Sequence, residues 1–300
     1  MTDFLSRIAG APITWGVDGS PGWGYLMDRN RVLREMQSVG LHATELGPDG
    51  YLPTQPEELD PLLGQYDLSL VGAFVPLLLY RPDRIAENLA YADRAAATLS
   101  GAGADILVLG PSSHLDGYDT SVTLSDEEWG WFAENARSVT EISEARGVTA
   151  ALHPHWGMAV ARPDHIERVL DTCPVGICLD TGHVYLGGGD PIEVARMAGD
   201  RVVHVHLKDV DGVMADEVRS GKRVFRQSVI DGLFTPLGQG AVDIAGVIRH
   251  LEASGFNGWY VLEHDQALAA APGIDDGPIN EAQTSMEFLR ELAFDLSQPA

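Results

Sequence analysis

The sequence predicts a closed (β/α)₈ TIM barrel, an α/β fold folded as one domain. Short β-type runs alternate with longer amphipathic stretches along the whole chain, and eight such pairs are present. Alternation of this kind calls for a parallel sheet covered by helices, and a count of eight favours closure over an open sheet. No linker, low-complexity tract or tandem repeat interrupts the series, so residues 1–300 read as a single unit.

The first strand is expected at 8–16 and its helix at 28–40, with Gly40 placed to end it. Strand 42–47 with helix 56–67, and strand 68–76 with helix 83–101, form the next two pairs. The fourth is 105–111 with 126–147, opened by Ser125-Asp126 and closed at Gly147. Strand 149–155 precedes helix 163–172, which Pro163-Asp164 opens, and strand 175–183 precedes helix 190–199, which Asp190-Pro191 opens. Strand 202–210 with helix 241–255, stopped at Gly255, and strand 258–265 with helix 280–297 complete the set. Residues 211–240 exceed an ordinary strand-to-helix loop, so a long loop is expected over the active face, as a lid or a subunit contact within a homo-oligomer. The open nucleotide-binding alternative would need a G-x-G-x-x-G turn after the first strand; Gly16 to Gly22 lacks that spacing.

A formal charge of −24 sets the surface chemistry. Lys208 and Lys222 are the only lysines. Such a chain repels phosphodiester backbones and anionic membranes, which excludes nucleic acid as the expected partner. The N-terminus lacks a basic segment followed by an apolar run, and no apolar stretch approaches ~20 residues, so a cytoplasmic protein without membrane spans is expected. Cys173 and Cys178 are too close to staple anything and read as small core residues.

Strand side chains alternate between faces. In 202–209 one face carries His204, His206 and Lys208, and the other carries Val203, Val205 and Leu207. Three ionisable groups facing a barrel interior are costly unless they bind something or one another. Neighbouring strands repeat the pattern, with His153 and His155 on one, Asp180 followed by His183 on the next, and Glu263 ending the last. These ends are where barrels keep their active sites. Carboxylate oxygens with imidazole nitrogens suit a divalent ion, Mn²⁺ or Co²⁺ first, with Mg²⁺, Fe²⁺ and Zn²⁺ open. Glu45, ending the second strand, is expected to reach the mouth; Trp15 serves either as an apolar wall for a substrate ring or as a cap on the core. Gly238-Gln239-Gly240 has the form of a phosphate-cradling turn but no basic residue immediately beside it.

These residues lie in segments that resemble a known group. The segments are Ala11-Pro12-Ile13-Thr14-Trp15, Thr44-Glu45-Leu46-Gly47, Leu152-His153-Pro154-His155-Trp156-Gly157 and Leu179-Asp180-Thr181-Gly182-His183. They continue with His204-Val205-His206-Leu207-Lys208-Asp209, Gly232-Leu233-Phe234-Thr235, Gly238-Gln239-Gly240 and Val261-Leu262-Glu263. Together they are similar to the xylose-isomerase-like barrels of sugar isomerases and epimerases, and within that group to the inosose dehydratases. The resemblance implies metal ligands at Asp180, His206 and Glu263, with His153 where the wider group usually has a glutamate. It implies substrate contact or proton transfer at His155, His183 and Lys208, and a small polyol or keto-sugar substrate. The activity it implies is metal-dependent dehydration of a keto-cyclitol such as 2-keto-myo-inositol, a carbon–oxygen lyase reaction; a keto-sugar isomerase or epimerase is the alternative on the same site. His155, His183, Lys208 and Glu263 are its candidates for the proton-abstracting base, with Lys208 expected to have a lowered pKa. The chain departs from the resemblance at Gly72-Ala73-Phe74-Val75-Pro76, where a more polar or basic stretch is implied, and at His264-Asp265-Gln266.

Overall fold

A computed structural model describes residues 4–113, 122–274 and 276–298. Eight parallel strands close into a barrel: β1 (Ile8–Gly10), β2 (Ala43–Glu45), β3 (Ser69–Leu77), β4 (Ile106–Pro111), β5 (Thr149–Leu152), β6 (Gly176–Asp180), β7 (Val202–Leu207) and, after a short pair described below, β10 (Tyr260–Leu262). β10 lies between β7 and β1, and Ile8 pairs with Tyr260 where the ring closes. Helices α1 (Arg29–Ser38), α2 (Pro56–Gly64), α3 (Ile85–Gly101), α4 (Asp126–Glu144), α5 (Pro163–Thr172), α7 (Pro191–Ala198), α10 (Ile244–Ala253) and α11 (Pro278–Ser297) fill the intervals as the sequence predicts. Among the described residues no helix is long and apolar enough to cross a membrane.

Local chemistry sets the helix ends. Ser125 caps α4 in a reciprocal box with Glu128. Asp190 caps α7, and Gly40, Gly147 and Gly255 take the positive φ that ends a helix without a Cβ penalty.

Apart from β3 and β4, the strands are shorter than predicted at their C-terminal ends, and that matters for the site. β1 stops at Gly10, and Pro12–Trp15 form a 3-10 turn. β6 stops at Asp180, whose side chain caps a short helix, α6 (Thr181–Leu186). His153, His155 and Glu263 therefore sit just beyond their strands. One side chain departs from simple alternation. Ile177 pairs with Val202 and Cys178 with His204, so Val203 is the extra residue of a bulge. It packs with the inner layer of Ile106, Val108, Ala151 and Cys178, while Val205 and Leu207 join the shell under the helices.

The segment 211–240 is not a bare loop. It folds as α8 (Gly212–Arg219), α9 (Phe225–Ile230) and strand β9 (Phe234–Thr235), which pairs antiparallel with β8 (Asp209–Val210). Its return is fixed by one buried carboxylate. Asp209 accepts the backbone N–H groups of Val210, Gly238, Gly240 and Val242 at 2.9–3.0 Å. The Gly238-Gln239-Gly240 turn thus spends its two glycine N–H groups on the protein's own carboxylate, and the Gln239 N–H on Pro236 O. Replacing Asp209 with alanine strands several donors, so urea denaturation is expected to show a loss of about 3 kcal/mol.

Candidate metal and active site

Small side chains fill the lower barrel and polar ones the top. Ala9, Ala43, Val71 and Val261 are buried and pack together inside. Above them His153, Asp180, His204, His206, Lys208 and Glu45 are all 2% exposed or less.

Four ligand atoms converge from the ends of neighbouring strands. His153 Nε2, Asp180 Oδ2, His206 Nδ1 and Glu263 Oε2 all lie within 4.8 Å of one another. His153 Nε2 is 3.1 Å from His206 Nδ1 and 3.2 Å from Asp180 Oδ2; His206 Nδ1 is 3.9 Å from Asp180 Oδ2. Such separations belong to ligands around one ion at roughly 2.0–2.2 Å from each. Two of the groups are also oriented from behind. Asp180 spends Oδ1 on the His183 N–H at 2.7 Å, which turns Oδ2 to the cluster. His206 donates Nε2–H to Glu45 Oε1 at 3.0 Å, which turns its Nδ1 toward the cluster. His204 donates to the same Glu45 oxygen at 2.9 Å. Glu263 Oε2 is buried without a partner of hydrogen-bond geometry, although His206 Nδ1 stands 2.6 Å away.

Charge makes the same demand for a cation. Glu45, Asp180, Glu263 and Asp265 bring four carboxyl groups into one buried region that holds a single lysine. Burial opposes the charge on Glu45, but His206 and His204 outweigh it and bring the pKa down to about 2. Burial likewise disfavours a charged His206, yet Cys178, Glu263 and Glu45 hold its pKa well above the ordinary value. A region with this excess of negative charge fits a divalent ion.

Lys208 is the second centre of the site. Its Nζ lies 2.8 Å from Asp265 Oδ1, 3.1 Å from Glu263 Oε2, 3.3 Å from Asp180 Oδ2 and 3.1 Å from His183 Nε2. Burial would lower its pKa, but Asp180, Asp265 and Glu263 together push it well above the usual lysine range. The expected lowering is therefore reversed, because three carboxylates surround the ammonium. The same ammonium stands among His155, His183 and Asp265, a second group with metal-ligand spacing, and supplies its cation.

His155 lines the cavity and is neutral. Burial, then His153 and Lys208, bring its pKa down to about 3. Its Nδ1–H donates to Trp156 O at 2.6 Å, which puts the lone pair on Nε2. His183 stacks on it with ring centroids 3.6 Å apart and is 0% exposed. His183 contacts Lys208 and His155, which border the cavity, and is not itself among the bordering residues. Trp15 takes the second of its two expected roles. It is 0% exposed and donates Nε1–H to Glu35, because the chain turns away after Gly10, so it caps the core. Glu45 borders the cavity, but its bonds go to His204 and His206.

The cavity above these groups has a volume of about 390 Å³. Phe74, Pro76, Met158 and Phe225 contribute its apolar side. Phe74 meets His153 edge-on at 5.6 Å between centroids, and its ring passes over Gly110, where a Cβ would come within 2.2 Å. Sequence reasoning assigned no role to Phe225 or Asp265. Phe225 comes from the insertion, and the segment holding Asp265 was recognised only as a departure. Cys178 also approaches His153 and His206, but burial raises its thiol pKa to about 11. Glu45→Gln is expected to keep the fold and weaken divalent-metal affinity about 10- to 100-fold, read by competition with a chromophoric chelator.

Residues 33–292 match the family model described as the xylose isomerase-like TIM barrel. An inosose dehydratase of Geobacillus kaustophilus is 32% identical over 301 residues, covering 97% of this chain and 96% of that protein. The rhizopine catabolism protein MocC of Rhizobium meliloti is 32% identical over 268 residues, covering 87% and 82%. Among solved structures, the IOLI protein with a bound zinc atom has a TM-score of 0.70 at 15% identity, covering 96% of this chain and 98% of that one. That last likeness is one of fold. With the family match and the near full-length identity, the chain belongs to the xylose isomerase-like TIM barrel family.

Proposed function

We infer that the chain is a divalent-metal-dependent dehydratase, a carbon–oxygen lyase that removes water from a keto-cyclitol such as 2-keto-myo-inositol. The observation that carries this reading is the meeting, in one buried cavity, of a four-ligand ion site with a protonated lysine and a neutral histidine. The relatives named inosose dehydratase support the same reaction.

His153, Asp180, His206 and Glu263 would hold the ion, with Mn²⁺ or Co²⁺ our choice for this mixed nitrogen and oxygen set. When bound, a divalent ion polarises the ketone and favours the enolate that forms on loss of the α-proton. His155 accepts that proton, since it is neutral and lines the cavity. Lys208 donates to the departing β-hydroxyl, whose bond to carbon breaks as the enolate electrons form the double bond. Glu263 borders the cavity as a ligand, and a base role for it would compete with that duty. His183 positions the pair by contacting both. The insertion 211–240 brings Phe225 to the cavity wall, and we read it as a cover that keeps bulk water from the enolate.

An epimerase uses two carboxylates on opposite sides of the substrate carbon; the histidine at 153 leaves one of those places without a carboxylate. Protein stripped with a chelator is expected to lose at least about 99% of its turnover of 2-keto-myo-inositol and to regain it on adding Mn²⁺ or Co²⁺. Formation of an unsaturated dicarbonyl chromophore marks dehydration. Epimerised ketone without that chromophore would contradict the reading.

A further inference from the structure

Lys208 has three carboxylate neighbours, but they are not equivalent. Asp180 Oδ2 and Glu263 Oε2, at 3.3 and 3.1 Å from Nζ, are the same atoms that belong to the four-ligand group. Asp265 alone stands outside that group, and its contact is the shortest at 2.8 Å. It lines the same cavity as Lys208, and its Oδ2 lies 3.8 Å from His183 Nε2.

Both ends of this pair are held rigidly. Next to Asp265, the His264 N–H donates to Thr14 Oγ1 at 3.1 Å and Trp23 Nε1–H donates to Gln266 O at 2.7 Å. The Lys208 backbone N–H donates to Thr181 Oγ1 at 2.9 Å, and that hydroxyl donates back to Lys208 O at 2.7 Å. A Cβ at position 182 would come within 2.7 Å of Lys208 Cγ, so Gly182 leaves the channel for the lysine stem. The ring of Phe234 lies 5.0 Å from Nζ on a further side. Groups fixed this way hold a reacting atom in place at little cost at the moment of reaction.

We propose that Asp265 is a positioning residue that sets Lys208 for the elimination half of the reaction and has no part in enolisation. The inference rests on the dehydratase reading. Enolisation needs a base to take the α-proton, and the C–H electron pair becomes the enolate. Elimination then breaks the C–O bond of the β-hydroxyl. The oxygen takes a proton from Lys208 Nζ and leaves as water, the enolate pair forms C=C, and the lysine regains a proton from solvent after product leaves. With Asp180 and Glu263 engaged in the ligand group, the carboxylate left to hold Nζ at the leaving oxygen is that of Asp265.

The test uses metal-loaded protein and 2-keto-myo-inositol in D₂O, following deuterium in the recovered ketone by NMR and the dicarbonyl product by absorbance. Asp265→Asn is expected to keep its metal content and a cooperative unfolding transition, to exchange the α-proton within about threefold of the parent, and to eliminate roughly 100-fold more slowly. Asp265→Glu, which keeps the charge but displaces it by one methylene, is expected to give an intermediate ratio of elimination to exchange. Should the asparagine variant fail to fold, the glutamate variant carries the test. Exchange and elimination falling by the same factor, or elimination unaffected, would overturn the assignment while leaving the parent a dehydratase. A parent that exchanges the proton and never forms the dicarbonyl overturns the dehydratase reading, and the assignment falls with it.

Discussion

Carboxylates placed out of contact with water at the mouth of a closed barrel must be matched by cations, and much of the upper barrel is arranged around that need. Removing one member of a buried charged cluster costs far more than removing a surface pair, because the remaining charge is left without water or partner. Lys208 supplies one cation, and the convergence of His153, Asp180, His206 and Glu263 makes room for another. The fold contributes through closure. Glu45 on β2 reaches His204 and His206 on β7 across the barrel, a contact that an open sheet with the same strands would not provide.

Two neighbouring groups of potential ligands share one wall, yet they are electrostatically distinct. In the first, imidazole nitrogens and carboxylate oxygens face one another. In the second, the lysine ammonium already stands among His155, His183 and Asp265. The site thus combines one place for a metal with one built-in ammonium. In the proposed reaction, enolate stabilisation and departure of a hydroxyl need charge at two separate oxygens, and this division would provide it.

Much of the site was legible in the sequence because strand periodicity of two is a strict rule. His204, His206 and Lys208 had to share a face, and Asp180 ended an apolar run at the catalytic end of the barrel. The less legible parts belong to backbone that leaves its strand. Trp15 follows β1 by five positions, so alternation could not say that a 3-10 turn swings it into the core against Glu35. Val203 was misplaced because a one-residue bulge is invisible to a periodic pattern. Phe225 and Asp265 come from segments where register has no meaning until the barrel is closed, and Lys208's three carboxylate neighbours come from two separate strand ends, Asp180 from β6 and Glu263 and Asp265 from the end of β10.

The relation between charge and metal leads to one direct measurement. X-ray absorption and anomalous diffraction on the Co²⁺-loaded protein report which atoms surround the ion. The account predicts a single bound ion with two imidazole nitrogens and two carboxylate oxygens, from His153, Asp180, His206 and Glu263. An ion held instead among His155, His183 and Asp265 with Lys208 displaced, or one without the His153 nitrogen, would contradict it.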